Sequence, residues 1–79
     1  MVKISRKEVP EYLAGIEWML NLQNFDLIEH QYEGLYEFIF KKYPELLPDD
    51  SVTLHDIIDD ITPELVLEFL VAKGRVIIC

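Results

Sequence analysis

Apolar residues recur at helical spacing along most of this chain. Positions three or four apart lie on one face of an α-helix. The first such stripe is Val9, Leu13, Ile16 and Leu20, and it predicts a helix that begins near Pro10 and ends within residues 21–24. Ser5 and Glu8 precede it with the spacing of a capping box.

A second stripe predicts one long helix from Asp26 to Tyr43. Its apolar members are Ile28, Tyr32, Leu35, Ile39 and Tyr43. Asp26 and Glu29 have the spacing of a capping box at its start. Pro44 ends it, because the residue before a proline disfavours the helical conformation.

Two further helices are expected in the second half. Thr53 and Asp56 precede a short apolar pattern, which predicts a third helix reaching Ile61. Thr62-Pro63-Glu64 combines a cap, a proline suited to the first turn and an early acid, so it predicts the start of a fourth. That helix is apolar on nearly all sides, as expected of a central one, and Gly74 is suited to end it.

The two ends of the chain have β-forming sequences. Val2–Ile4 and the Val-Ile-Ile before Cys79 are expected to pair with each other and to lie on the helices, since two short strands alone are marginal. The predicted fold is mainly α with a minor β part. It is a compact bundle of three to four helices with a short β pairing of the terminal segments, in a single domain over residues 1–79.

The composition of the chain limits the classes of molecule that it is expected to bind. Half of the residues (51%) are hydrophobic, which predicts a folded chain with some apolar surface to spare. Fifteen acidic residues against seven basic ones give a net charge of −8. Phosphate backbones and anionic lipid headgroups repel such a chain, so we expect no direct nucleic-acid or membrane binding and a basic protein as partner.

The same numbers suggest a compartment. The single cysteine, Cys79, cannot form an internal disulfide. The N-terminal segment has no signal-peptide pattern, and no apolar run approaches the length of a membrane span. The expected localisation is cytoplasmic.

Trp18 is the first candidate interface residue. On a helix it lies nearly opposite the stripe of Val9 to Leu20. Either it packs on another element of the fold, or it belongs to an interface, where tryptophan is the most enriched residue type.

An acidic stripe supplies the other candidates. Glu29, Glu33 and Glu37 recur every four residues on the predicted second helix, with Tyr36 and Phe40 nearby. The stripe is either an ordinary solvated face or a docking strip for a basic partner, with the two rings as anchors. Carboxylates one helical turn apart lie about 6 Å from each other, a spacing comparable to that of phosphates, so the strip has the character of a nucleic-acid mimic.

Signatures of catalysis and of cofactor binding are missing from the sequence. His55 and Asp59 offer two metal ligands where zinc needs three or four, and a calcium loop starting at Asp49 would place Leu54 where glycine is required. The sequence contains no glycine-rich phosphate loop, and a small helical domain is expected to lack an obvious cleft. We therefore predict a protein that is not an enzyme and that needs no metal or cofactor.

One short motif resembles a known family. Asp50-Ser51-Val52, with an acidic and aliphatic helix expected after it, is similar to the Asp-Ser-Leu attachment motif of acyl carrier proteins. The resemblance implies that Ser51 would carry a phosphopantetheine arm. It covers about ten residues, and the segment before Ser51 is longer, and that after it shorter, than in the family.

The function we predict is stoichiometric inhibition of another protein. The chain has the general character of immunity proteins, antitoxins and phage-encoded inhibitors, and it would occlude a basic partner that handles nucleic acid. One alternative is a homodimeric structural or adaptor protein whose acidity serves solubility. A second is the carrier protein modified at Ser51.

Overall fold

The computed structural model describes residues 2–79 and contains two strands and four α-helices in that range. The helices are α1 (Val9–Asn21), α2 (Phe25–Gln31), α3 (Leu35–Lys42) and α4 (Pro63–Ala72), and the strands are β1 (Val2–Ile4) and β2 (Val76–Ile78). Short 3₁₀ turns occupy Arg6–Glu8, Pro44–Leu46 and Ile58–Asp60. The prediction of a mainly α fold with a small β pairing of the terminal segments is confirmed.

β1 and β2 pair in parallel, with Val2 opposite Val76 and Ile4 opposite Ile78. The amide of Val2 donates to the Arg75 carbonyl at 2.9 Å, and the amide of Cys79 donates to the Ile4 carbonyl at 2.9 Å. Parallel strands require a long crossover connection. Here the four helices together are that connection.

α4 lies at the centre of the fold, as its apolar sequence predicts. Leu65, Val66, Leu67, Phe69 and Leu70 are all buried. The hydroxyl oxygen of Thr62 accepts a hydrogen bond from the Leu65 amide at 3.1 Å, which is the expected N-terminal cap. At the other end Gly74 takes a left-handed φ of 71°, and the Arg75 amide donates to the Leu70 carbonyl at 2.9 Å, as in a Schellman motif.

The prediction of one helix from Asp26 to Tyr43 is wrong, because the chain turns between α2 and α3. Gly34 has a φ of 94°, a left-handed conformation that glycine adopts without strain. Ile28, Tyr32, Leu35 and Ile39 are nevertheless all buried, so the apolar stripe is preserved across the turn. The helix also starts earlier than expected, because the side chain of Asn24 caps it by accepting from the Leu27 amide at 3.3 Å.

The predicted third helix is also wrong. Residues 54–57 form turns, and a single 3₁₀ turn follows at Ile58–Asp60. Thr53 and Asp56 make the reciprocal capping bonds, with the Thr53 amide donating to the Asp56 carboxylate at 3.0 Å, but no α-helix follows. β-Branched isoleucines and paired aspartates have poor helix propensity, and Leu54, Ile57 and Ile61 are buried without a regular helix.

The turn at Gly34 yields a stability prediction with an internal control. Gly34→Ala should lower the free energy of unfolding by roughly 1–3 kcal/mol, because a Cβ is strained at this φ. Gly15 lies within α1 with open space around it, so Gly15→Ala should raise the same quantity by about 0.5–1 kcal/mol. Denaturant titration of both variants measures the two values, and equal effects would contradict the assigned role of Gly34.

Candidate functional site

Two adjoining cavities lie along the turn between α2 and α3. The larger has a volume of about 420 Å³, and its lining includes Glu29, Tyr32, Glu33, Tyr36, Asp50 and Val52. The smaller measures about 260 Å³ and is lined by Tyr36, Glu37, Phe40, Lys41 and Asp50. Because Tyr36 and Asp50 line both, the two cavities form one depression, which we call the acidic groove.

The turn at Gly34 sets the positions of the three predicted glutamates. Glu29 is on α2, Glu33 is within the turn and Glu37 is in the first turn of α3. They do not form a straight stripe on one helix as predicted. Glu29 and Glu33 line the larger cavity and Glu37 lines the smaller.

The predicted aromatic residues of this region also line the groove. Tyr36 stands between the two cavities, and its hydroxyl donates to the Val52 carbonyl at 3.2 Å. This bond ties the loop at residues 50–54 to α3 and so holds one wall of the groove. Phe40 lies at the smaller cavity with 52% of its surface exposed, and it is available as an apolar contact.

Asp50 and Tyr32 belong to the groove, although sequence reasoning did not select them. In the sequence, Asp50 is notable only as part of the Asp50-Ser51-Val52 motif, and Tyr32 only as part of the core stripe. The Tyr36–Val52 bond spans sixteen residues of sequence. No periodicity links positions so far apart, so the sequence carried no signal for Asp50.

The carboxylates of the groove are not neutralised by ion pairs within residues 2–79. The salt bridge found in that range joins Lys42 to Glu68, outside the groove. Five of the seven basic residues are close to the two strands instead: Lys3, Arg6, Lys7, Lys73 and Arg75. The groove therefore presents several negative charges, with Lys41 beside its smaller cavity.

Trp18 is on the outer side of α1, away from the core, with 64% of its surface exposed. Of the two alternatives for this residue, packing on another element does not hold. Leu22, one helical turn further on, is also exposed, so the two side chains extend the same apolar surface. Trp18 does not line either cavity of the acidic groove, and its role in binding stays a prediction.

A third cavity is almost wholly apolar. It measures about 480 Å³ and lies between α1, α4 and β2, with Leu13, Leu67, Val71 and Ile78 in its lining. Val71 and Ile78 keep a substantial part of their surface exposed. This is the apolar surface relevant to the homodimer alternative.

Ser51 lies in a tight turn. Its amide donates to the Asp49 carboxylate at 2.8 Å and its hydroxyl donates to the same oxygen. The hydrogen bonds from Ser51 lower the pKa of the Asp49 carboxyl. The helix that the acyl-carrier resemblance leads one to expect after Ser51 is replaced by turns, and modification of Ser51 stays an untested alternative.

The two candidate metal ligands of the sequence do not form a centre. The ring of His55 packs against Phe25 with centroids 4.5 Å apart. Across residues 2–79, acidic, histidine and cysteine side chains do not gather in groups of three or more able to hold a metal ion. In the same range, every helix is too short or too polar to cross a bilayer.

Glu68 of α4 contacts two residues at the C-terminal end of α3. The Tyr43 hydroxyl donates to the Glu68 carboxylate at 2.7 Å, and the Lys42 ammonium pairs with it. The hydrogen bonds from Lys42 and then Tyr43 lower the pKa of the Glu68 carboxyl. The same contacts raise the pKa of Lys42 and of Tyr43. We call these three residues the α3–α4 clasp.

Comparison with known proteins gives no relative: no family model matches the chain, and no curated protein or solved structure has significant similarity to it.

The α3–α4 clasp predicts acid sensitivity. The Glu68 carboxyl has a folded-state pKa below its ordinary value of 4.5. Its contribution to stability is therefore present above about pH 5 and is lost as the pH falls through the folded-state pKa. Glu68→Gln should lower the free energy of unfolding at pH 7 by roughly 0.5–1 kcal/mol, a modest amount because water screens the partly exposed pair.

The measurement is urea unfolding of both proteins at several pH values from 7 down to 3. The loss of stability between neutral and acid pH should be smaller in Glu68→Gln than in the unsubstituted protein. Glu17→Gln, an exposed change on α1, is the matched control and should follow the unsubstituted protein. Parallel pH profiles for all three would show that the clasp does not contribute.

Proposed function

We propose that this protein is a small acidic inhibitor without catalytic activity of its own. It binds a basic protein that handles nucleic acid and occludes the surface that normally holds the phosphate backbone. The observation that supports the proposal is the acidic groove, in which Glu29, Glu33, Glu37 and Asp50 line one depression with the rings of Tyr36 and Phe40.

Charge supplies the attraction in this proposal. A surface that binds phosphates carries lysine and arginine, and carboxylates offer such a surface the same sign of charge. Four acidic residues line the groove, whereas five of the seven basic residues lie in or near the two strands. An uneven distribution of this kind steers a basic partner toward the acidic side and raises the association rate.

In this proposal, apolar contacts slow the dissociation of the partner. Phe40 is half exposed beside the smaller cavity, and Trp18 with Leu22 extends an apolar surface on α1. Aromatic side chains that become desolvated at an interface dominate its binding energy, whereas exposed charges mainly set the rate of encounter.

The homodimer is the second candidate function, and the apolar cavity between α1, α4 and β2 favours it. Its lining of Leu13, Leu67, Val71 and Ile78 would be covered if a second copy packed there. In that case the acidic groove serves solubility alone. Sedimentation over a range of concentrations separates the two functions, since the inhibitor is expected to sediment as a monomer with Trp18 exposed.

The test of the inhibitor uses charge removal within the groove. The partner is first captured on the immobilised protein from the native host and purified. Its binding to a labelled oligonucleotide is then measured by fluorescence anisotropy while the protein is added. Glu29→Gln/Glu33→Gln/Glu37→Gln should slow association with the partner by about tenfold or more at low salt and weaken displacement of the oligonucleotide.

Glu11→Gln/Glu17→Gln/Glu45→Gln removes the same charge from exposed positions outside the groove and is the matched control. It should keep nearly all of the inhibition. Equal losses in the two triple variants would mean that net charge alone matters. A partner that holds the protein and the oligonucleotide together would refute occlusion.

Trp18→Ala tests the aromatic contact separately. Because the side chain is largely exposed, the substitution should change the free energy of unfolding by less than about 0.5 kcal/mol. It should weaken partner binding by tenfold or more through faster dissociation, as expected for an interface tryptophan. Surface plasmon resonance measures both rate constants, and unchanged dissociation would remove Trp18 from the interface.

A further inference from the structure

The larger cavity of the acidic groove has the properties of a binding site for one side chain. Its volume of about 420 Å³ falls within the ~300–1,000 Å³ typical of ligand pockets. Its lining combines the carboxylates of Glu29, Glu33 and Asp50 with the rings of Tyr32 and Tyr36. A complementary ligand must therefore be cationic and must also have an apolar or planar part.

Tyr32 provides an observation independent of the acidic residues. Its side chain lines the cavity with only 9% of the residue's surface exposed, and none of the side-chain hydrogen bonds within residues 2–79 involves its hydroxyl. Every fully buried side-chain oxygen or nitrogen in that range has a partner. The Tyr32 hydroxyl is therefore not fully enclosed, and it has no hydrogen-bond partner among the described residues. Burial, followed by the neighbouring Tyr12, raises the pKa of Tyr32, so this hydroxyl stays protonated.

The spacing of the carboxylates indicates the size of the cation. Glu29, Glu33 and Asp50 do not come close enough together to hold a metal ion in common. A guanidinium group distributes five N–H donors around a plane, and it is able to reach acceptors on separate walls. It also stacks on aromatic rings, unlike the compact and strongly hydrated ammonium of lysine.

The same turn already binds one guanidinium from within the chain. The guanidinium of Arg75 lies 5.2 Å from the centroid of the Phe69 ring, and its Nη2 donates to the Glu33 carbonyl at 2.8 Å. The Phe69 ring of α4 and the Glu33 carbonyl of the α2–α3 turn thus hold an arginine between them. On the cavity side, tyrosine rings and carboxylates offer the same two kinds of contact.

We propose that the larger cavity binds the side chain of an arginine presented by the partner protein. Glu29, Glu33 and Asp50 accept from its N–H groups, and the rings of Tyr32 and Tyr36 contact the plane. The inference deepens the proposed inhibitor function by naming the group recognised in the groove. An arginine that normally contacts phosphate would be held there, which is how occlusion would become specific.

The experiment uses a small probe and no partner. Nα-acetyl-arginine N-methylamide is titrated into the isotope-labelled protein, and amide shifts are followed by NMR. Shifts should cluster at residues 29–36 and 50–54, with a dissociation constant on the order of millimolar, as expected for a single side chain. The citrulline analogue has nearly the same shape without the charge and should bind at least about tenfold more weakly.

Three variants locate the contact. Glu29→Gln/Asp50→Asn removes two charges from the cavity and should weaken arginine binding about tenfold. Glu17→Gln/Glu45→Gln removes the same charge at exposed positions outside the groove and should stay within twofold of the unsubstituted protein. Tyr32→Phe keeps the ring and removes the hydroxyl, and it should weaken binding about three- to tenfold with the spectrum of the folded protein retained.

Equal binding of arginine and citrulline, or shifts centred elsewhere on the surface, would overturn the inference. The proposed inhibitor function would survive these results if the Glu29→Gln/Glu33→Gln/Glu37→Gln variant still lost its inhibition of the partner. The opposite combination is also possible. If the protein binds arginine selectively but the partner holds the oligonucleotide and the protein at the same time, the arginine site stands and occlusion is refuted.

Discussion

The side chain of Phe69 is fully buried, and three parts of the chain pack around its ring. Phe38 of α3 meets it edge to face with ring centroids 5.5 Å apart. The guanidinium of Arg75, just before β2, lies over one face. At the α2–α3 turn, a Cβ added to Gly34 would lie 3.8 Å from the ring. Through the Phe69 ring, α3, the residue before β2 and the α2–α3 turn all contact the central helix α4. The acidic groove depends on that turn.

The groove gathers several negative charges on one part of the surface. Several carboxylates line a depression without ion pairs among the described residues, and their mutual repulsion favours expansion. The buried stripe of α2 and α3, the Tyr36–Val52 bond and the α3–α4 clasp oppose that repulsion. A cationic partner would relieve it. Binding under our proposal would therefore also stabilise the fold, through mass action on the native state.

The pairing of β1 with β2 completes the fold and also affects where the charged residues lie. Because β1 and β2 pair in parallel, Lys73 and Arg75 lie near the end of the pair where both strands begin, and Arg6 and Lys7 lie near the end where both strands finish. The helices that connect the strands carry most of the acids. In a chain with eight negative charges in excess, most of the basic residues thus lie near the two strands, and under our proposal a basic partner would approach from another side.

The sequence by itself determined much of the buried core and where several helices begin or end. Local spacing and local backbone preference predict one apolar stripe, the helix cap at Thr62 and the helix end at Gly74. The members of that stripe are Ile28, Tyr32, Leu35 and Ile39. Only the tertiary structure decided the turn at Gly34, the irregular path of residues 53–61 and the position of Asp50 beside Tyr36. Apolar spacing is the same for a straight helix and for two helices that turn around a ring, so periodicity alone does not distinguish them. Contacts with Phe69, Arg75 and Val52 distinguish the two arrangements, and each of these residues comes from a distant part of the chain.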